Sequence, residues 1–386
     1  MRFEFATATR IVFGPGTIHE APGIISALGN SALVVTGNSL TRVQPLLRQL
    51  DLAAVRFTLF QIAGEPTTTE VRAGAAHARA AGCDCVVALG GGSAIDAAKA
   101  IAALATNDGD LLDYLEVIGR GQPLRQAPLP FVAIPTTAGT GAEVTRNAVL
   151  ASPEHRVKAS LRSPLMLPRV ALVDPELTLP LPPALTASTG MDALTQVLEP
   201  YLCNRANPLV DALCVAGIRR AARSLRRAFT HGDDLAARTD MAFASLCGGL
   251  ALANAGLGAA HGFAAPIGGM FPAPHGAVCA ALLPHVLTAN LCALTERAPH
   301  SEILPRFTEI ARLLTDDSAA TAPDGIAWLH ALCRDLQIPP LRVHGLTAAD
   351  IPAIVEKSAQ ASSMKANPIS LTSAELEEIL RLAIAG

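Results

Sequence analysis

Residues 85–105, CVVALGGGSAIDAAKAIAALA, restrict the architecture of this chain more than any other stretch. The run CVVAL has no polar alternation, as expected of a strand covered on both faces inside a parallel sheet. Gly90, Gly91, Gly92 and Ser93 then turn the chain straight into a helix rich in alanine. Further candidate strands, RIVFG, ALVVTG, VRFTLF, PFVAIPT and VALVD, several of them apolar throughout, alternate with helical patterns up to Asp174. Between them the pattern predicts a helix over residues 69–81, with Thr67 and Glu70 as its capping box. Strand–helix alternation at this spacing predicts a doubly wound α/β domain.

After Asp174 the pattern changes. Pro175, Pro180, Pro182 and Pro183 interrupt regular structure and mark a boundary near residue 180. Beyond it helical periodicity runs over 188–203, 207–229, 233–254, 276–297, 302–315, 322–336, 346–360 and 373–384, with no strand. With 386 residues, more than one core usually organises, the chain reads as two domains. These are an α/β nucleotide-binding domain over 1–180 and an all-helical domain over 181–386.

Composition narrows the function. The net charge is −3 and no Lys/Arg cluster is interleaved with aromatics, so nucleic-acid binding has no electrostatic basis. The N-terminal MRFEFATATRIVFG lacks the apolar core of a signal peptide, and no apolar stretch free of charge and proline is long enough for a bilayer. Eight cysteines without a CxxC pair lie mostly in apolar helical runs, which suits free thiols in a reducing compartment. The expected location is the cytoplasm.

Two loops point to an anionic ligand. The Gly90–Ser93 turn lets a backbone approach phosphate at a helix N-terminus, although it is neither GxGxxG nor a P-loop, because Lys99 lies too far into the helix. PTTAGTGAE, residues 135–143, follows the next buried strand and offers the hydroxyls of Thr136, Thr137 and Thr140 between glycines. Such loops at strand C-termini are where open α/β sheets bind nucleotides. In the helical half, GMDALTQVLEPY places Asp192 and Gln196 one helical turn apart on one face. His261 and His275 each precede a glycine. From spacing alone these groups form either a metal site or a set of satisfied core side chains.

Four stretches, GGGSAIDAAK, PTTAGTGAEVTRNAV, GMDALTQVLEPY and AHGFAAPIGGMFPAPHGAVCAALLPHV, together resemble the iron-dependent (group III) alcohol dehydrogenase family in order and spacing. The resemblance covers essentially the whole chain. It implies reversible hydride transfer between an alcohol and NAD or NADP, a divalent metal such as Fe²⁺ or Zn²⁺ as Lewis acid, and a homodimer. Gly91, Gly92 and Ser93 would hold the cofactor pyrophosphate, and Asp96 would lie near the nicotinamide or support its loop. Thr136, Thr137 and Thr140 would contact the cofactor, Lys158 would reach its ribose, and Asn147 would line the substrate cleft. The family's metal ligands are one Asp and three His; Asp192, His261 and His275 match three, and Gln196 stands at the fourth.

Three departures from the family pattern matter. Gln196 offers an amide oxygen, a weaker donor than imidazole, so weakened metal binding is expected. Ala265 replaces a histidine that many members carry, which removes one proton path. Gly37, with Asn38 and Ser39, replaces an acid that would bind the adenosine ribose 2′-hydroxyl, so NADP is expected to be accepted. His285 reads as structural. The competing readings are a metal-independent reductase resembling maleylacetate reductases, a dehydroquinate-synthase-like lyase, and a cofactor-binding protein without turnover. The substrate class expected is a small neutral alcohol or aldehyde.

Overall fold

The computed structural model describes residues 2–155 and 157–386, which divide into two compact units. The first comprises Phe5–Thr137 and Gly141–Thr178; Leu179–Gly386 and the three-residue loop Ala138–Thr140 belong to the second.

The first unit contains strands β1 (Arg10–Phe13), β2 (Ser31–Thr36), β3 (Arg56–Gln61), β4 (Cys85–Gly90), β5 (Phe131–Pro135), β6 (Asn147–Ser152), β7 (Val157–Arg162) and β8 (Val170–Val173). Its helices are α1 (Ala21–Ser26), α2 (Leu40–Leu52), α3 (Thr68–Ala80), α4 (Gly92–Thr106) and α5 (Leu111–Tyr114). Six strands form a parallel sheet in the order β1-β8-β5-β4-β2-β3. Alternate residues of one strand feed opposite cores, which explains the unbroken apolar runs. On β2, Leu33 and Val35 join the core with Val71 of α3 and Ile101 of α4, while Ala32 and Val34 join that with Ile25 of α1 and Leu46 of α2. The Thr67–Glu70 capping box is present, with the Glu70 amide donating to Thr67 Oγ1 at 3.1 Å.

The chain leaves β2 toward β3 on one side and β4 toward β5 on the other, so the topological switch point lies between β2 and β4. The turns beginning at Gly37 and Gly91 follow these two strands and share one edge of the sheet. A Cβ added at Gly90 would lie 3.6 Å from the Gly37 amide nitrogen.

A second sheet went unread in the sequence. β6 and β7 form an antiparallel hairpin, pairing Asn147 with Arg162 and Ala151 with Lys158. β6 is buried only at alternate positions, so it carries no continuous apolar run to signal it.

The second unit is helical: α6 (Pro183–Leu202), α7 (Pro208–Thr230), α8 (Leu235–Asn254), α9 (Ala259–Met270), α10 (His275–Arg297), α11 (Leu304–Thr315), α12 (Ala322–Asp335), α13 (Ile351–Ala359) and α14 (Ser373–Ala385). α6 begins at Pro183 rather than 188, because proline at the first helical position sacrifices no hydrogen bond. α9 is absent from the periodicity. Gly262, Pro266, Gly268 and Gly269 argue against a helix locally, and burial of Phe263, Ala264 and Ile267 overrides them. α10 is long and apolar enough to cross a bilayer despite Pro284, yet 67% of its apolar window is buried inside the protein, as in a core helix.

All eight thiols are free; five are buried, Cys83 and Cys333 are partly exposed and Cys292 is exposed.

Candidate metal centre and cofactor loops

On the α/β unit, α4 starts at Gly92 with Gly91 as its N-cap and no side-chain cap bond, leaving first-turn N–H groups at the edge of the sheet. Ser93 is in that turn. Asn38 donates to the Ala63 carbonyl at 3.3 Å, and Ser39 is the N-cap of α2. Space around the Cβ direction of Gly37 is open to 4 Å. The Thr136 amide donates to the Gly90 carbonyl at 2.9 Å, and Thr137 lies 3.4 Å from a Cβ placed on Gly91, so these two loops touch. Thr140 belongs to the helical unit.

Asp96 and Lys158 have protein partners. Asp96 Oδ2 accepts the Val149 amide at 3.0 Å, and Oδ1 lies 3.4 Å from Lys99 Nζ. Burial pushes the Asp96 carboxyl up, opposed by Lys99. Lys158 pairs with Glu65 at 3.2 Å. Asn147 opens β6, and its carbonyl accepts from Lys99 at 2.7 Å.

In the helical unit, Asp192, Gln196 and Glu199 lie along one face of α6, at helical intervals of four and three residues. All three are buried. Glu199 positions the next element: its Oε1 accepts the Ala260 amide at 2.7 Å, satisfying a first-turn N–H of α9 that has no local cap. Its Oε2 lies 2.6 Å from His261 Nδ1. A carboxylate only accepts, so Nδ1 carries a proton, and in the neutral ring Nε2 presents its lone pair on the opposite side.

That lone pair faces Asp192. His261 Nε2 and Asp192 Oδ1 are 3.4 Å apart, and both atoms are buried without a hydrogen-bond partner. His275, the first residue of α10, brings Nε2 to 3.7 Å from the same oxygen. The approach of α10 depends on Gly276: a Cβ there would lie 2.4 Å from the Ser188 carbonyl oxygen and 3.3 Å from Asp192 Cβ. Cys279 completes the cluster, with donor atoms of Asp192, His261, His275 and Cys279 all within 4.8 Å of one another. The His275 side chain is 34% exposed, which keeps one side of the cluster open.

The titratable groups of the cluster are coupled to one another. Burial opposes charge on every member, yet the histidines hold the Asp192 carboxyl below its usual range. Burial likewise disfavours a charged His275, but Cys279 and Asp192 raise it to about 8. His261 is raised well above its ordinary value, with burial outweighed by Cys279, Asp192 and Glu199. The Cys279 thiol is lowered, because the two imidazoles outweigh its burial.

The structure thus gathers Asp192, His261 and His275, the residues singled out by motif. Gln196 is one turn along α6, where its Nε2 donates to the Gly139 carbonyl at 2.8 Å. Ala265 is exposed on α9, one turn beyond His261. His285 packs edge-on against His330, ring centroids 5.3 Å apart, and burial pushes it down to about 4. Sequence reasoning missed Glu199 and Cys279. A signal existed for both: Glu199 is seven residues after Asp192, and Cys279 is four after His275.

Glu199→Gln is expected to weaken metal binding about 10- to 100-fold. Glutamine has one acceptor oxygen where Glu199 uses two, so an amide N–H would face His261 Nδ1 or the ring would change tautomer. Competition with a chelating dye measures the change. Unaltered affinity in a folded variant would remove Glu199 from the design of the site.

Comparison with known proteins places these features in context. The family model "Iron-containing alcohol dehydrogenase" matches residues 8–175, and that of the "Fe-containing alcohol dehydrogenase family, C-terminal" matches residues 186–384. The 1,3-propanediol dehydrogenase of Klebsiella pneumoniae is 38% identical over 394 residues, covering 99% of this chain and 98% of its own. The crystal structure of a 1,3-propanediol oxidoreductase is similar with a TM-score of 0.92 at 37% identity, over 99% of this chain and 100% of that one. A sulfoacetaldehyde reductase from Bifidobacterium kashiwanohense, solved in complex with NAD⁺, has a TM-score of 0.89 at 30% identity, over 100% of this chain and 99% of its own.

Proposed function

The chain belongs to the iron-containing alcohol dehydrogenase family, and from that premise we propose that it interconverts a small neutral alcohol and its aldehyde or ketone, with NAD or NADP as hydride carrier. The observation that carries the reading is the pair of buried, unpartnered donor atoms, Asp192 Oδ1 and His261 Nε2, facing each other beside His275. Buried polar atoms without partners are destabilising unless something fills the gap between them. The set is one anionic oxygen and two imidazoles, which suits Fe²⁺ or Zn²⁺.

Asp192, His261 and His275 would hold a divalent ion, which would supply Lewis acidity for a carbonyl oxygen in reduction and an alcohol oxygen in oxidation. The protein's own contribution is orientation. Glu199 holds His261 in the ligating tautomer, and Gly276 brings His275 up to Asp192. Alanine at 265 leaves no histidine at that position to relay a proton.

The cofactor assignments follow the family motif. Gly91, Gly92 and Ser93 take the pyrophosphate at the α4 N-terminus, and Thr136, Thr137 and Thr140 contact the cofactor. Lys158, paired with Glu65, would reach the ribose. Asp96 acts as a positioning residue through Val149 and Lys99, and Asn147 lines the substrate cleft. Gly37, Asn38 and Ser39 form the adenosine ribose pocket; without an acid there, a 2′-phosphate meets no repulsion, so NADP is accepted. A short-chain alcohol or diol is the favoured substrate, by likeness to the propanediol enzyme. The homodimer and the cytoplasmic location complete the proposal.

The test is reduction of a panel of short aldehydes by NADH and by NADPH, before and after treatment with a chelator. Loss of turnover with the chelator and its return with Fe²⁺ or Zn²⁺ is expected, with NADPH used at a kcat/KM comparable to that of NADH. Turnover that survives metal removal would replace this reading with a metal-free reductase. A strong preference for NADH would remove the Gly37 argument alone.

A further inference from the structure

We infer that the fourth donor to the ion is Cys279 Sγ rather than the Gln196 amide, giving an Asp/His/His/Cys centre that prefers zinc to iron. The inference rests on the metal-centre reading above and adds the identity of its fourth ligand.

Cys279 follows His275 by one turn of α10, so both side chains leave the same face. Its Sγ lies 3.8 Å from His275 Nε2 and within the 4.8 Å group. Bonds of about 2.0 Å to N or O and about 2.3 Å to S, at tetrahedral angles, separate donors by about 3.3–3.6 Å. The Asp192–His261, Asp192–His275 and His275–Cys279 separations are 3.4, 3.7 and 3.8 Å. These three separations are within a few tenths of an ångström of that range, and the other three are no longer than 4.8 Å. The two unpartnered atoms, Asp192 Oδ1 and His261 Nε2, belong to this same group.

The Gln196 amide nitrogen is engaged by the backbone: Nε2 donates to the Gly139 carbonyl at 2.8 Å, and because a carbonyl accepts only, that bond sets the orientation of the amide. Gln196 thus ties α6 to the loop Ala138–Thr140.

A thiolate is a soft donor, which moves preference toward zinc.

The experiment is titration of the metal-free, full-length protein with Co²⁺, followed by absorption spectroscopy, for wild type, Cys279→Ser and Gln196→Ala. Wild type and Gln196→Ala are expected to develop an intense near-ultraviolet thiolate-to-cobalt charge-transfer band that saturates at one equivalent. Cys279→Ser should still give the weak visible bands of bound cobalt, without the charge-transfer band, at an affinity more than about 100-fold lower. As a check independent of any variant, Zn²⁺ should protect Cys279 of the wild type from alkylation, read by peptide mass spectrometry. Bound cobalt without the charge-transfer band, or zinc without protection of Cys279, overturns the assignment and leaves the metal centre standing. Failure to bind cobalt at all overturns both.

Discussion

Asp192→Asn is expected to fold normally, to lose its metal and to retain about one-thousandth of wild-type kcat/KM. Asp192 is 2% exposed and is the carboxylate on which the two histidines converge. Asparagine keeps its volume while removing the charge that anchors a divalent ion. The Lewis-acid contribution lost is several kcal/mol, and about 4 kcal/mol corresponds to three orders of magnitude in rate. Added metal should raise the melting temperature of wild type only, because stabilisation by mass action requires binding to the native state. Metal content, kcat/KM and melting curves test this together. An equivalent of retained metal with near-normal turnover would show that Asp192 is not a ligand.

The second large effect is expected in the α/β unit. Lys99→Met should lower stability by about 3–5 kcal/mol, the usual consequence of removing one partner from a buried charge pair. Lys99 is 1% exposed on α4. Its Nζ donates to Thr145 Oγ1 at 2.8 Å, to the Thr145 carbonyl at 3.2 Å and to the Asn147 carbonyl at 2.7 Å. Asp96 lies 3.4 Å away and holds the next stretch of the same strand through the Val149 amide. One lysine and one aspartate, a turn apart on α4, thereby fasten β6 to the helix. Burial pulls the ammonium pKa down, and Asp96 and Glu143 counter it. Methionine fills the channel but leaves three acceptors without a donor and Asp96 without its cation. Adding Asp96→Asn should recover part of the loss, since the uncompensated charge is then gone. Urea denaturation of the two single variants and the double variant gives the coupling. Strictly additive losses would show that the pair does not act as a unit.

Lys99 also illustrates where sequence reasoning stopped. Its position in the helix excluded a P-loop, but nothing local indicated that it serves Thr145 and the first residue of the hairpin, 46 and 48 residues downstream. The hairpin itself was hidden because its strands are only half buried. α9 was hidden because glycine and proline depress its local propensity, and packing on Phe263 and Ile267 supplies what propensity lacks.

What the residue order determined by itself was whatever depends on period and adjacency. The six parallel strands, the glycine turns at their ends, most of the helices and the motif residues Asp192, His261 and His275 belong to that class, because each follows from a local pattern. Tertiary structure decided how those patterns meet. Whether Asp192 is completed by Gln196 or Cys279 depends on which faces of α6, α9 and α10 pack together. Helical period assigns a residue to a face without saying what that face touches. Glu199 is the same case: its spacing is visible in the chain, but its role exists only because α9 begins beneath its carboxylate.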